Sequence, residues 1–114
     1  MARTPQEIFA HHAHALAARD VDELVADYTD DSVLITSSGV VRGKDGVRAA
    51  FTKLVDETPD AVFDVQTQIF EGDVLLLEWV LDSPAARTTG VDTFVFGDGM
   101  IRAQTISHSV HEKG

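Results

Sequence analysis

The chain has 114 residues and a formal charge of −10, because 19 acidic side chains outnumber 9 basic ones. This length fits one domain over 1–114, and a hydrophobic content of 44% is enough for a packed core. The negative charge would repel a nucleic-acid backbone, no apolar run is long enough to span a membrane, and no leader pattern follows Met1. We therefore expect a cytoplasmic protein that binds neither nucleic acid nor membrane. Since it contains no cysteine, disulfides and thiolate chemistry are excluded.

The chain begins with a predicted helix that starts at Pro5 and runs to about Arg19. Thr4 can cap this helix, and Glu7 completes a capping box three residues later. Asp20 repeats the capping pattern and starts a second, short helix. One side of the first helix carries, at helical spacing, Ile8, Phe9, His12, Ala15, Leu16 and Arg19.

The second helix is predicted to include Tyr28 on its apolar side. A β-branched run predicts a strand over 32–37, and helical spacing predicts a third helix over 44–57 that ends before a proline. Helices that precede an antiparallel sheet indicate the α+β class. Four strands joined by glycine-containing turns or a looser connection are predicted after the third helix, over 61–70, 74–82, 88–96 and 100–110.

The strand over 88–96 contains one carboxylate beside two phenylalanines. Because side chains alternate along a strand, Asp92 shares a face with Phe94 and Phe96, and Val91 and Val95 share the other. Two phenylalanines indicate the face that the helices cover. Asp92 would then lie in the core, where a carboxylate needs a partner or a raised pKa. In the competing interpretation the valines point inward and Asp92 faces a partner or solvent.

The five histidines suggest a metal site at first sight. On a helix His11 and His14 lie near each other, but two exposed histidines make a weak site at best. His108 and His111 are three positions apart on a strand, and this odd spacing points their side chains to opposite faces. We therefore expect no bound metal.

Two segments, LVADYTDDSVLITSSGVVRGKDGVRAAF and VDTFVFGDGMIRAQTISHSV, together with the order of elements, resemble the nuclear transport factor 2-like superfamily. The resemblance is strongest to its SnoaL-like polyketide cyclase and ketosteroid isomerase branch. It implies a single domain shaped as a cystatin-like cone, with three N-terminal helices packed on a strongly curved, mostly antiparallel sheet and a pocket at the open end. It also implies a homodimer through the outer sheet face, for which the apolar candidates are Leu75, Leu77, Val91 and Val95.

The resemblance also implies roles for particular residues. His12 stands where the isomerase has the tyrosine that binds the substrate oxyanion, and Tyr28 matches the second tyrosine that supports it. Asp92 matches the aspartic acid of the oxyanion hole. Thr36 stands where the isomerase has its general base, and threonine accepts protons poorly. The steroid-type proton shuttle therefore lacks its usual base.

The resulting candidate site has catalytic and binding members and no cofactor. Asp92, His12 and His108 are the predicted catalytic residues. The predicted substrate-binding residues are Tyr28, Gln104, Trp79, Ile106, Phe9, Leu16 and Phe94. A few polar groups that converge in an apolar pocket are typical of a small-molecule site.

Three functions remain open at this point. The first is a cofactor-independent isomerase, dehydratase or cyclase, of the isomerase or lyase type, that acts by acid–base chemistry on a mostly apolar carbonyl or polycyclic metabolite. The second is a non-catalytic small-molecule binding protein with the same pocket, which the threonine at position 36 favours. The third is a dimeric interaction domain whose cone is nearly filled.

Overall fold

The computed structural model describes residues 3–114, and the start of the chain at Met1, where no leader is expected, lies outside them. The described chain forms three helices and one mixed sheet of six strands in the order β2-β1-β6-β5-β4-β3. The pairing of β1 with β6 is parallel and all others are antiparallel, so the predicted α+β class is confirmed. The elements are α1 (Pro5–Ala17), α2 (Val21–Val25), β1 (Tyr28–Thr36), β2 (Gly39–Arg42), α3 (Gly43–Glu57), β3 (Val62–Glu71), β4 (Val74–Asp82), β5 (Ala86–Gly97) and β6 (Met100–Glu112).

The N-terminal helix begins where its capping pattern predicts. The hydroxyl of Thr4 accepts the backbone N–H of Glu7 at 3.1 Å, and the Glu7 carboxylate accepts the backbone N–H of Thr4 at 2.9 Å. These two bonds form the predicted capping box, which supplies partners to N–H groups that the helix leaves unpaired. The helix ends earlier than predicted, because Arg19 has a positive φ of 57°.

Tyr28 was predicted on the second helix, and this prediction is wrong. The helix ends at Val25, and Tyr28 begins β1 opposite Ile101 of β6. The Ile101 N–H donates to the Asp27 carbonyl at 2.7 Å, and the Ser32 hydroxyl donates to the Ile101 carbonyl at 2.6 Å. These contacts with β6 extend the backbone, so a pairing distant in sequence overrides the local helical pattern.

The short strand β2 was not predicted. It pairs antiparallel with β1 after a tight turn in which Gly39 has a φ of 131°. That backbone conformation is open to glycine and strained for other residues. The later predicted strands are confirmed with shifted ends, and β4 has the predicted bounds.

The sheet has one face against the helices and one face toward solvent. Phe94 and Phe96 are buried on the first, and Asp92 lies with them, only 5% exposed. Val91 and Val95 on the other face are 41% and 38% exposed. The interpretation that places Asp92 inward is therefore confirmed, which gives the core a carboxylate.

The outer face has different members from those predicted. Leu75 and Leu77 are buried beneath the helices, with exposures of 0% and 2%, so their predicted place on the outer face is wrong. Their neighbours Val74 and Leu76 are the exposed hydrophobic residues of β4. Leucine occupies both faces here, so hydrophobicity alone does not indicate which set points inward. None of the helices in residues 3–114 is long and apolar enough to cross a membrane.

Candidate functional site

A chain of hydrogen bonds crosses the inner face of the sheet. The Tyr28 hydroxyl donates to the side-chain carbonyl of Gln104, whose amide donates to Asp92 Oδ2 at 3.0 Å. The Trp79 indole N–H donates to the other oxygen, Asp92 Oδ1, at 2.8 Å. All four side chains are buried. Both carboxylate oxygens thus have a partner, which reduces the free-energy cost of burying the charge.

The strand register explains why these side chains meet. Asp92 of β5 lies opposite Leu77 of β4 and Ile106 of β6. Trp79 is two residues beyond its partner on one side, and Gln104 is two residues before its partner on the other. Side chains offset by two residues on adjacent strands are diagonal neighbours that long side chains can bridge. Asp92 is therefore held from both flanking strands.

Asp92 has no cationic partner among these donors. Burial is the largest influence and raises the pKa of Asp92 to about 6, while the bonds from Trp79 and Gln104 and the nearby His108 act in the lowering direction. A carboxylate with this pKa is mostly ionised at neutral pH, yet it holds a proton more readily than an exposed aspartate. Such a group can accept a proton from a bound molecule and return it.

His12 lies in a box of aromatic rings. Its ring centroid is 6.0 Å from that of Phe9, 6.2 Å from Tyr28, 5.8 Å from Phe51 and 5.3 Å from Phe94. Burial lowers the pKa of His12 to about 4, so the imidazole is neutral at neutral pH. Its Nδ1 has no hydrogen-bond partner in the described chain, and no hydrogen bond joins it to Asp92 there.

The side chain of His108 is exposed at the open end of the inner face. It pairs with Gly90, two residues from Asp92 on β5, and the register irregularity of this hairpin lies elsewhere, between Val95 and Phe96. His108 is therefore on the same face as Asp92. Exposure along this face of β6 increases from 2% at Gln104 to 56% at Val110. Asp92 thus lies near the boundary between the covered core and the open end.

The indole of Trp79 lies flat against the backbone of β5 at Gly90. A Cβ atom on Gly90 would overlap indole atoms Cζ2 and Cε2 and lie only 2.6 Å from Cη2. On its other side the indole stacks on Phe63, with ring centroids 5.0 Å apart. The predictions did not include Gly90. The available signal was a glycine inside a β-branched strand, which often marks a close approach of another group.

Two clefts open on the surface, and neither is lined by Asp92. One, of about 360 Å³, lies mainly on the outer face of the sheet, where Glu78, Val80, Thr89, Val91, Ser107 and Ser109 line it, and it reaches Trp79, Gly90 and His108 between the strands. The other, of about 260 Å³, lies between the ends of α1 and α3 and the start of β3, and Leu16 lines it. The predicted residues Phe9, Phe94, Tyr28 and Gln104 line neither cleft and pack in the core, with Ile106 half-buried beside them.

His11 was predicted to be exposed, but it is half-buried. Its Nδ1 contacts Asp27 Oδ2 at 2.7 Å, and its Nε2 contacts Glu23 Oε2 at 2.9 Å. Asp27 is fully buried and also accepts from the Arg3 guanidinium at 2.8 Å. The hydrogen bond with Asp27 is the main cause that raises the pKa of His11. This cluster connects α1 to the residues around α2. Its members are too far apart along the chain for the sequence alone to indicate that they pair.

We compared the sequence and the fold of this chain with those of known proteins. Residues 9–104 match the model of the SnoaL-like domain. Among curated proteins, none matches this chain in sequence. Similar solved structures include an uncharacterised cystatin-fold protein from Novosphingobium aromaticivorans, with a TM-score of 0.79, 20% identity, and coverage of 92% of this chain and 98% of that one.

Two further structures are described as candidate polyketide cyclases. The protein from Sinorhizobium meliloti has a TM-score of 0.77 and 19% identity, with 87% of this chain and 92% of that chain covered. Wild-type IdmH from Streptomyces antibioticus has a TM-score of 0.77 and 16% identity, with 95% and 92% covered. At these identities the likeness shows the fold alone.

Proposed function

The chain belongs to the SnoaL-like domain family, and on that premise we propose that it is a small-molecule enzyme that works by acid–base chemistry without a cofactor. Its substrate is a mostly apolar carbonyl or polycyclic metabolite, and the reaction is an isomerisation, dehydration or cyclisation. The observation that carries this proposal is Asp92, a buried carboxylate held only by neutral donors. The candidate polyketide cyclases with the same fold support the class of reaction.

In this proposal Asp92 is the base. Both of its oxygens accept hydrogen bonds, an arrangement that suits the ionised form. It would take a proton from a carbon next to the substrate carbonyl and return it at another position, so that no net acid or base is consumed. A pKa of about 6 matches such a role near neutral pH. Trp79 and Gln104 hold the carboxylate, and Tyr28, kept protonated because burial and Asp92 raise its pKa, fixes Gln104 in turn.

The two histidines would assist Asp92 in different ways. His108, on the open side, is placed to exchange protons with solvent, since its side chain is exposed on the face of Asp92. His12 would act as a neutral donor, because its pKa is about 4. The apolar walls would come from the predicted binding residues Phe9, Leu16, Phe94, Trp79 and Ile106.

Incubation with a panel of apolar ketones and linear poly-β-carbonyl compounds, without added cofactor, tests this function. We expect at least one compound to give a product of the same mass or one lighter by water, detected by mass spectrometry. Boiled protein is the control for spontaneous reaction. Compounds that bind and are recovered unchanged after long incubation would contradict the enzymatic proposal.

That last result would favour a non-catalytic binding protein, whereas the absence of any bound compound would favour a dimeric interaction domain of the same fold. Tyr28 and Phe94 have no exposed surface, and neither cleft reaches Asp92. An interior already filled by aromatic side chains is the property expected of an interaction domain. Catalysis and ligand binding both need the aromatic wall to open, so a bound molecule in contact with Asp92 in a crystal would contradict the interaction domain.

The partner in such a domain would be a second copy of this chain, joined through the outer sheet face. In register across that face, Ile69, Leu76, Thr93, Thr105 and Ile35 form one row without a charged side chain. The flanking row is apolar in its centre, at Val74, Val95, Ala103 and Val33, and has Glu71 and Arg42 at its two ends. On a chain with a charge of −10, a central row without charged side chains suits association between like copies.

We expect Leu76→Lys to convert a dimer into a monomer, because it places a charge in the centre of this row. Leu76 is 40% exposed in the single chain, so the substitution leaves the core intact. Light scattering after size-exclusion chromatography measures the mass. Val110→Lys makes a similar change at an exposed site outside the row and should leave the dimer intact. A wild-type mass of about 12.4 kDa would contradict the dimer.

A further inference from the structure

The smaller cleft is an apolar recess with one cation. It lies between the C-terminal ends of α1 and α3 and the start of β3, and its volume is about 260 Å³. Its aliphatic and aromatic lining includes Leu16, Leu54, Val55, Phe63 and Leu81. Arg19 is the charged residue among those that line it. A ligand held here would be mostly apolar and would carry one group suited to a guanidinium.

The backbone at Arg19 indicates that its side chain is needed. Arg19 follows Ala18, the C-cap of α1, and has a φ of 57°. At this position after a helix, glycine is the common residue, because other residues are strained in the left-handed region. An arginine here therefore weakens the helix end relative to glycine, and the contact of its guanidinium with the Ala61 carbonyl is the interaction that can offset this cost.

The guanidinium is held at the edge of the cleft but is not neutralised. Arg19 Nη2 donates to the Ala61 carbonyl at 3.0 Å, which fixes the group without using its charge. A guanidinium has five N–H donors, so others remain for a ligand. Arg19 takes part in none of the ion pairs found within residues 3–114. The carbonyl ends of α1 and α3 make the surroundings electronegative, so an anion would be drawn only to Arg19.

The cleft adjoins the candidate catalytic residues through one aromatic pair. Phe63 lines the cleft and stacks on Trp79, whose indole donates to Asp92. A ligand in the cleft would therefore contact the outer member of the pair that separates it from Asp92. Displacement of this pair would bring an apolar ligand from the cleft toward the carboxylate.

We propose that this cleft binds the carboxylate end of an apolar acid, with Arg19 paired to the carboxylate and the hydrocarbon part against Phe63 and Leu81. The inference rests on the proposed function, in that the acid would be the substrate or product of the Asp92 site. It adds a substrate class to that function, namely an apolar molecule with one acidic group. A guanidinium and a carboxylate form charge-assisted, often bidentate hydrogen bonds, which a neutral amide of the same shape does not reproduce.

Isothermal titration calorimetry with 2-naphthoate and 2-naphthamide tests the proposal, since the two probes differ mainly in charge. We expect wild-type protein to bind naphthoate on the order of tenfold more tightly than naphthamide, and the preference to weaken as salt is raised. Arg19→Gly and Arg19→Gln should both abolish the preference. Arg19→Gln retains an amide donor for the Ala61 carbonyl, so it separates the charge from the structural contact.

The same variants also provide the control for loss of folding. Arg19→Gly should unfold at the same or a higher temperature than wild type, because glycine fits the left-handed conformation without strain. A preference for naphthoate that persists in both variants, equal binding of the two probes by wild type, or no binding of naphthoate at millimolar concentration would overturn the proposal. Turnover of an acidic substrate that is unchanged in Arg19→Gln would overturn it and leave the proposed function intact. Charge-selective binding without any turnover would support this proposal and contradict the proposed function.

Discussion

Replacement of Asp92 with asparagine is expected to reduce turnover by about two to four orders of magnitude, the usual contribution of a positioned acid or base. Asparagine keeps the size of the side chain, but it cannot accept a proton at neutral pH. The variant should remain folded, since it loses at most one of the two hydrogen bonds that Asp92 accepts from Trp79 and Gln104. Steady-state rates with a substrate from the carbonyl panel, together with circular dichroism, measure both effects.

The same assignment predicts the direction in which the rate changes with pH. The pKa of Asp92 is raised to about 6, so a base at this position is active above that pH and is lost as the pH falls through it. The rate should therefore rise with a midpoint near pH 6 in wild type, and this limb should be absent in Asp92→Asn. Asp73→Asn, in the exposed turn before β4, is the matched control and should retain the wild-type profile. A wild-type rate that falls through pH 6 would instead assign Asp92 as the acid.

Substitution of Gly90 by alanine is expected to lower the free energy of unfolding by about 3 kcal/mol, from overpacking and the loss of a hydrogen bond to a charged group. The added methyl group would displace the Trp79 indole from β5 and from Asp92. Trp79 is the single tryptophan of the chain, so its fluorescence should report the displacement directly. Urea unfolding followed by circular dichroism measures the stability independently of the indole.

A second glycine of the same strand provides the control. A Cβ atom on Gly97 would lie 3.1 Å from Cγ of Arg102, a flexible and exposed side chain that can move aside. Gly97→Ala should therefore change the free energy of unfolding by much less than Gly90→Ala. Equal effects of the two substitutions would mean that general strand strain, and not the contact with the indole, determines the loss.

Local patterns predicted the parts of this molecule that depend on nearby residues. The capping box of Thr4 and Glu7, the bounds of β4 and the inward face of Asp92 each follow from spacing over a few positions. The alternation around Asp92 was informative because phenylalanine lies on one face of β5 only. Around Leu75 the alternation of side chains could not distinguish the two faces, because leucine occupies both faces of β4.

Other features depend on partners that are distant along the chain. Tyr28 extends into a strand because it pairs opposite Ile101, and no local signal indicates this. The burial of Asp27 with Arg3 and His11 arises where several elements meet. For the candidate site, the sequence indicated its members through a family resemblance, but only the register of β4, β5 and β6 shows which of them bond to Asp92.

The parallel contact between β1 and β6 has a consequence for how the chain is made. Four strands, β3 to β6, follow one another as antiparallel neighbours and can pair as soon as each is synthesised. β1 must wait for residues 101–106, which leave the ribosome some seventy positions after it. Until then β1 can pair only with the short strand β2, and its other edge stays open, which is a site where aggregation can begin. The last strand to emerge thus joins the two parts of the sheet, and truncation within it would leave both with an open edge.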